Sequence, residues 1–354
     1  MAKKLGVYNF SVQFIASVIS LSRVAGSVSR SSTSEIEIGF LGVGVPSKDD
    51  WQEKLVALRS GAQPKYLTSF ESVVKVGTEI DKNPEIAVIV SLFKSDQYLL
   101  NFIKVLESQS ALERSEICII SVKPSLFERT HLEAFSNRHS NVILEFHEDR
   151  TPIYVAWNRA IELSSAPLIT NANADDIRSP DSLEIQIDAF KRYPWADVIY
   201  QDVIVSYDPD ATWDELVSLG AETHFLHVFH GALLAGFNYP HNAPAWKRSI
   251  HETVGLFNES YSSAADGEFW LRCSEVGKKF FKISSVHNSY YLNPEGLSSS
   301  SNAVGPMEHA KILTEFSTRN EAFLSAATKG KSARYESQQL ALIHRLKELR
   351  TKDD

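Results

Sequence analysis

The chain has 354 residues, of which 43% are hydrophobic and 10% aromatic, enough for a packed core in one large domain or two ordinary ones. Its 44 Asp and Glu outnumber its 36 Lys and Arg, so the formal charge is −8 and we expect no nucleic-acid partner. The only two cysteines, Cys118 and Cys273, lie in apolar runs, which predicts core thiols in a reducing, cytoplasmic compartment.

Residues 1–84 predict a small N-terminal α/β extension. Apolar side chains at helical spacing indicate an amphipathic helix over residues 5–22, and its continuous apolar part, residues 14–21, is too short to span a bilayer. We expect this helix to dock on its own protein; the alternative is peripheral contact with the inner face of a membrane. A linker over 27–34, a strand over 35–45 and a helix over 51–59 follow.

Strands and helices alternate regularly from Glu85 onward. Strands are predicted at 86–90, 117–120, 142–144 and 168–169, and helices near 98–108, 127–137, 153–163 and 183–192. Because these strands are apolar throughout, they predict a parallel sheet with helices on both faces. Ligands of such sheets bind at the carboxyl ends of the strands.

The stretch PLITNANADDIRSP, residues 167–180, has the strongest chemical character in the chain. An apolar strand runs into Asn171, Asn173, Asp175 and Asp176, which places hard oxygen ligands at one edge of the sheet. A divalent cation and a diphosphate can meet such ligands there. The alternative is that Asn and Asp cluster here because turns favour them.

Several helix ends carry recognisable signals. Thr151-Pro152 and Ser179-Pro180-Asp181 predict capped helix starts, and Asp266 is predicted to cap a helix from Gly267 to about Val276. Beyond Gly305, two charged helical segments near 307–324 and 334–352 are predicted to be peripheral. Their partner is the protein itself or a second subunit, as in a homo-oligomer.

Five fragments between residues 85 and 300 resemble family 2 glycosyltransferases of the GT-A fold. They are VSLFKSDQYLLNFIKVLESQS, IYVAWNRAIELSSAPLITNANADDIRSPDSLE, APAWKRSIHETVGLFNESY, ADGEFWLRCSEVGKKF and YYLNPEGLSSS. The second fragment is similar to a bacterial branch of this family in which the metal motif reads Asn-x-Asp-Asp. The resemblance implies a Rossmann-like, mostly parallel α/β domain over 85–304, followed by a helical tail over 305–354.

The resemblance also implies a metal site and a general base. Asn173-Ala174-Asp175 stands where the family holds Mn²⁺ or Mg²⁺ against the diphosphate of a nucleotide sugar, with Asp175 as ligand, Asn173 offering a carbonyl oxygen and Asp176 beside the donor. His287 matches a third metal ligand, although a lone histidine there is more often structural. Asp266 matches the base that deprotonates the acceptor; the alternative is an ordinary helix cap.

Further donor contacts are expected at Ser91, at the end of the first strand, and at Asn158, which matches an asparagine of the family near the donor. The family's aspartate after the second strand is missing, since residues 121–125 read SVKPS. Lys123 is the residue there that could contact phosphate instead; the alternative is an ordinary solvated lysine. Arg272 is predicted to form an ion pair within its helix, and Trp246 is predicted to pack in the core.

The expected function is transfer of a sugar from a nucleotide-sugar donor to a glycan or glycolipid acceptor. The resemblance implies an inverting, metal-dependent enzyme of bacterial surface polysaccharide or glycoconjugate synthesis. The rival from another class is a catalytically silent module that binds sugars or partners. A sugar-nucleotide pyrophosphorylase is disfavoured because no glycine-rich basic loop follows the first strand.

Overall fold

The computed structural model describes residues 48–61, 83–219, 238–296 and 304–319, with isolated positions between 222 and 234. The predicted helix at 5–22, the linker, the strand at 35–45 and the helix at 334–352 lie outside the described residues. No described helix has the length and apolar character needed to cross a membrane.

Four parallel strands form one half of the central sheet. They are β1 (Ile86–Leu92), β2 (Ser115–Val122), β3 (Val142–His147) and β4 (Leu168–Ala172). The sheet order is β3-β2-β1-β4, continued by β7 (Ala245–Lys247), β5 (Val198–Tyr200) and β8 (Phe280–Lys282). Only β7 runs antiparallel to its neighbours in this sheet. The predicted, mostly parallel α/β sheet is therefore confirmed.

Helices cover the sheet, and a second sheet of two parallel strands lies beside it. The helices are α1 (Lys48–Gly61), α2 (Asp96–Glu107), α3 (Leu126–Arg138), α4 (Ile153–Leu163), α5 (Ser182–Arg192), α6 (Trp213–Leu219), α7 (Ile250–Val254), α8 (Ala265–Glu275) and α9 (Gly305–Arg319). The small sheet pairs β6 (Ile204–Ser206) with β9 (Ser289–Tyr291). This pair matters for the site because β9 passes the end of β4.

Alternate residues of each strand enter the cores on the two faces of the sheet. Ile89 and Cys118 join one core with Trp246, whereas Val88 and Val90 join the other. Both faces are thus covered, as continuous apolar strands predict. Cys118 is a free thiol whose burial raises its pKa to about 12, which confirms it as a core residue.

The helix α1 is attached to the small sheet. Trp51 is fully buried in a third core that includes Ile177, next to the candidate metal motif. Arg59 adds ion pairs to Asp208 and to Glu215. The predicted helix at 51–59 is therefore present, and it supports the side of the domain that carries β9.

Three predicted helix caps are wrong. The cap predicted at Ser179 is not formed: the N-cap position of α5 is Asp181, which makes no side-chain capping bond, and the Ser179 hydroxyl lies 3.1 Å from His287 Nδ1. The N-cap of α4 is Pro152, while the Thr151 hydroxyl lies 2.8 Å from His147 Nδ1. The helix α8 begins at Ala265, so Asp266 lies inside its first turn and does not cap it. Its carboxylate also lies within hydrogen-bond distance of the side chains of Tyr154 and Asn238.

The helix α9 is not peripheral. Its residues Ile312, Leu313 and Phe316 are buried in the same core as Trp246. Its Glu308 accepts hydrogen bonds from the backbone N–H groups just ahead of α8. The apolar face of this described part of the tail is thus covered by the protein itself.

Candidate active site

The segment after β4 carries the candidate metal motif along the carboxyl edge of the sheet. The small sheet holds this segment in place: the Ser289 amide donates to the Ile177 carbonyl oxygen at 2.7 Å, and the Ile177 amide donates to the Ser289 hydroxyl at 2.8 Å. Asp175 and Asp176 therefore lie in a short connection that is fixed at both ends, by β4 and by β9.

Asp176 is the buried centre of this connection. Its carboxylate accepts hydrogen bonds from Asn173 Nδ2 at 2.8 Å, Asn242 Nδ2 at 2.9 Å and the Tyr291 amide at 2.9 Å. Burial and the nearby Asp175 raise its pKa, whereas these hydrogen bonds oppose the rise. Because the Asn173 amide nitrogen turns toward Asp176, the Asn173 side-chain carbonyl oxygen is the atom that this residue can offer to a ligand.

Asp175 is half-buried and accepts a hydrogen bond from Asn293 Nδ2 at 3.0 Å. The same Asn293 nitrogen lies 3.3 Å from the Tyr98 hydroxyl oxygen. Burial raises the pKa of Asp175, and no cation is among the groups that oppose this rise within the described chain. The residue is a carboxylate that a bound cation would stabilise.

A buried arginine lies beneath the motif. Arg178 donates to Thr170 Oγ1 at 3.0 Å and to Ser182 Oγ at 3.1 Å, and it also binds the Asn171 carbonyl oxygen. Burial lowers its pKa to about 10, and Asp176 opposes this effect. The guanidinium ties the end of β4 to the start of α5 and supplies positive charge below Asp176.

The donor set fits a divalent cation that prefers oxygen. Asp175 offers a carboxylate without a compensating cation, and Asn173 offers a carbonyl oxygen whose orientation Asp176 fixes. The described residues contain no group of three His, Cys, Asp or Glu arranged as a complete protein-only site. Mg²⁺ or Mn²⁺ ions usually complete such sets with water and substrate phosphates.

Asp266 lies in the first turn of α8 and faces two hydrogen-bond donors. Tyr154 Oη is 3.0 Å from its Oδ1, and Asn238 Nδ2 is 2.6 Å from its Oδ2. Burial raises the pKa of Asp266, while the hydrogen bonds from Gly267, Asn238 and Tyr154 oppose the rise. A carboxylate with a raised pKa, held in one orientation, is suited to accept a proton.

One turn connects Asp266 with the metal motif. Asn238 binds Asp266, and Asn242, four residues later, binds Asp176. The His241 amide donates to the Asn238 carbonyl oxygen at 3.1 Å, which closes a tight turn. The Cα atoms of the two asparagines are therefore within about 10 Å of each other. The turn was missed in the sequence, where residues 202–244 gave no recognisable element.

Basic residues follow the first three strands at the same edge. Lys94 and Arg150 lie over the Phe93 ring, with their charged atoms 5.5 Å and 5.0 Å from its centroid. Lys123 is exposed and has a φ of 51° directly after β2. Ser91 is half-buried near the end of β1. The carboxyl edge thus combines anionic and cationic groups.

The position of the missing aspartate is occupied by a buried network. Ser121 donates to Glu128 at 2.7 Å, and Ser95 donates to the same carboxylate at 3.2 Å. Ser125 caps α3 by accepting from the Glu128 amide. Ser121 at the end of β2 and Ser125 just after it are therefore used within the protein, while Lys123 is exposed.

His287 lies apart from the metal motif. His287 Nδ1 is 3.1 Å from Ser179 Oγ and 3.3 Å from Asp181 Oδ1. Asp176 is bound by the Tyr291 amide, and Tyr291 is four residues beyond His287. Four residues of extended strand separate His287 from Tyr291 by about 13 Å. The structure does not bring His287 to Asp175.

Arg272 pairs with Glu268, which confirms the predicted helical ion pair.

The amide of Asn158 joins α4 to the loop after α7. Its Nδ2 donates to the Phe257 carbonyl and to Glu259 Oε1, both at 2.9 Å, and its Oδ1 accepts from the Phe257 amide at 3.0 Å. Both N–H groups are thus used inside the protein. The contacts describe a structural link, and contact with a donor stays a prediction.

We expect Asn158→Ala to lower the free energy of unfolding by about 1–3 kcal/mol, because it leaves buried groups of Phe257 unsatisfied. Urea denaturation measures this change. Asn137→Ala, an exposed position on α3, is the control and should change stability by less than about 0.5 kcal/mol. Unchanged stability with loss of donor binding would support the donor-contact role instead.

Comparison with known proteins gives one family and several structural likenesses. Residues 87–253 match the family described as Glycosyl transferase family 2. No curated protein matches the sequence. The chain is similar to S. aureus TarS 1-349 in complex with UDP, with 14% identity, a TM-score of 0.48 and coverage of 70% of this chain and 75% of that one. It is also similar to mannosyltransferase PcManGT from Pyrobaculum calidifontis in complex with GDP-Man and Mn²⁺, with 11% identity, a TM-score of 0.48 and coverage of 94% and 91%.

Proposed function

We propose that this glycosyltransferase, whose family 2 match spans residues 87–253, moves a sugar from a nucleotide-sugar donor to an acceptor hydroxyl with inversion at the anomeric carbon. The family match confirms the predicted enzyme class. The observation that carries the finer proposal is the turn of residues 238–242, which holds Asp266 and Asp176 through one asparagine each. The turn thereby links the proposed proton acceptor, Asp266, to Asp176 in the candidate metal motif.

The proposed reaction is one in-line displacement. The acceptor hydroxyl gives its proton to Asp266, while its oxygen forms a bond to the anomeric carbon of the donor sugar. The bond from that carbon to the diphosphate oxygen breaks, and the electron pair leaves with the nucleoside diphosphate. Attack from the side opposite the leaving group inverts the anomeric configuration.

The cation of this reaction would be held by Asp175 and by the side-chain carbonyl oxygen of Asn173. A bound Mn²⁺ or Mg²⁺ supplies positive charge that stabilises the leaving diphosphate. Asp176 keeps the Asn173 carbonyl turned away from itself, and Arg178 below it offsets part of the negative charge of the motif. These contacts explain how an asparagine can serve in a position where charge is expected.

Donor binding is proposed along the ends of β1 and β2. Ser91 offers a hydroxyl there, and Lys123 offers an exposed cation on a backbone held at positive φ. Lys94 and Arg150 add positive charge around Phe93. Phosphates are attracted to such a cluster even though the chain as a whole is acidic.

The acceptor is proposed to be a glycan or glycolipid of bacterial surface polysaccharide or glycoconjugate synthesis, made on the cytoplasmic side of the membrane. For the N-terminal residues 5–22 the proposal is docking on the protein itself, with peripheral membrane contact as the alternative, and the C-terminal residues beyond 319 are the part of the tail left for self-association. Both segments lie outside the described residues.

A thermal-shift screen tests the proposal. The full chain is heated with UDP-glucose, UDP-GlcNAc, GDP-mannose and related nucleotide sugars, each with and without Mn²⁺. A donor at 100 times its Kd should stabilise the protein by about 2.7 kcal/mol, which appears as a rise in Tm that depends on Mn²⁺. No shift with any donor would contradict donor binding and favour the catalytically silent module.

A further inference from the structure

The hydroxyl group of Tyr154 has two acceptors but only one hydrogen. Its oxygen lies 2.8 Å from the Ser263 carbonyl oxygen and 3.0 Å from Asp266 Oδ1. A tyrosine hydroxyl can donate to only one of them at a time. The hydroxyl can also accept a hydrogen bond, so both contacts are satisfied together when Asp266 is protonated and donates to Tyr154.

The Ser263 carbonyl is held in place by α9. Glu308 accepts hydrogen bonds from the amides of Ser262 at 2.7 Å, Ser263 at 2.8 Å and Ala264 at 3.0 Å. A Cβ atom added at Gly305 would approach the Ser263 hydroxyl oxygen to 3.1 Å, so the start of α9 packs closely against the Ser263 side chain. The carbonyl therefore stays available whichever way the Tyr154 hydrogen points.

We propose that Tyr154 is the positioning residue of Asp266, donating to the ionised carboxylate and turning its hydrogen to the Ser263 carbonyl once Asp266 has taken up a proton. The inference rests on the proposed function, in which Asp266 receives the proton of the acceptor hydroxyl. Asn238 cannot exchange roles in this way because its Nδ2 only donates. Tyr154 is thus the partner that hydrogen-bonds Asp266 both before and after proton transfer.

Among the described groups around Asp266, Tyr154 is the one that can change from hydrogen-bond donor to acceptor. Tyr154 faces it from α4, and Asn238 faces it from the turn of residues 238–242. The charge of Glu308 on α9 also acts on Tyr154. Glu308 lies behind the backbone of residues 262–264. Burial raises the pKa values of both Tyr154 and Asp266, so the tyrosine stays protonated while the aspartate titrates.

The test measures the protonation of Asp266 directly. Protein labelled with ¹³C at the aspartate carboxyls is titrated by NMR, and the Asp266 signal is assigned by its absence in Asp266→Asn. Tyr154→Phe removes one hydrogen bond from the ionised form, so the pKa of Asp266 should rise by about one unit. Tyr261→Phe, which removes a hydroxyl 3.3 Å from Glu315, is the control and should leave that pKa unchanged.

A second measurement keeps the Tyr154 hydroxyl, so it can be made even if Tyr154→Phe does not fold. The ¹⁹F signal of 3-fluorotyrosine at position 154 should titrate with the pKa of Asp266 and stop titrating in Asp266→Asn. An Asp266 pKa unchanged in folded Tyr154→Phe, or a ¹⁹F signal that ignores Asp266, would overturn the inference. Neither readout needs a donor or catalysis, so failure here is distinguishable from failure of the proposed function.

Discussion

Asp266→Asn should lower the rate of sugar transfer by about 10²–10⁴-fold, the usual contribution of a general base. The substitution removes the proton acceptor but preserves the shape of the side chain. The new amide can accept from Asn238 with its oxygen and donate to Tyr154 with its nitrogen, as protonated Asp266 would. The fold and the metal motif should therefore be kept, and the loss should appear in kcat.

The measurement is release of nucleoside diphosphate from the donor that gives the largest Mn²⁺-dependent thermal shift. Asp188→Asn, on a side chain that is 63% exposed on α5, is the control and should retain the wild-type rate. Because ionised Asp266 is the active form and its pKa is raised, wild-type kcat/KM should fall as pH is lowered through a value above 3.8. Equal rates in Asp266→Asn and wild type would remove Asp266 from the mechanism.

The strands and helices around the candidate site are predictable because their signals are local. The run of residues 86–90 is apolar at every position, so it could only be buried on both faces, and the structure places it in the middle of the sheet. The helix at 153–163 follows from its apolar spacing in the same way. Residues 173–176 are also identifiable, since acidic and amide side chains directly follow a buried strand.

The contacts that organise the site depend on residues far apart in the sequence. Asn242 lies 66 residues from Asp176, and no local pattern in residues 238–242 indicates that its amide nitrogen binds there. Arg178 is a charged residue that would be expected on the surface, yet the end of β4 and the start of α5 bury it. Asn293 lies in the fragment YYLNPEGLSSS that carried the family resemblance, but its contact with Asp175 requires β9 to pass β4.

The prediction for Asp266 as a cap failed for a related reason. Cap rules read the residue type at a helix start, and aspartate is among the strongest of these signals. In the structure Glu308 binds the amides of residues 262–264, which directly precede the helix, and α8 begins at Ala265. The acidic group that satisfies these N–H groups comes from α9, and Asp266 is left to bind Tyr154 and Asn238.

Asp175→Ala should abolish the Mn²⁺-dependent part of donor binding, with a loss of affinity on the order of 100-fold. Loss of an outer-shell partner alone typically costs 10–100-fold in metal affinity, and Asp175 is proposed as a direct ligand. Isothermal titration of the donor in Mn²⁺ and in EDTA separates the two contributions. The variant should bind the donor in Mn²⁺ no better than the wild type does in EDTA.

The same substitution should not destabilise the protein without metal. The pKa of folded Asp175 is raised above its unfolded value, so its contribution to stability is favourable below the unfolded pKa and is lost as pH rises through the folded pKa. At pH 8 in EDTA, Asp175→Ala removes a half-buried charge beside Asp176, and we expect a Tm equal to or above that of the wild type. Asp210→Ala removes an exposed carboxylate whose charge also reaches Tyr291, and it should leave the Mn²⁺ dependence intact. If Asp175→Ala lost donor binding and Tm together in EDTA, its carboxylate would be structural and the metal site would have to be sought elsewhere.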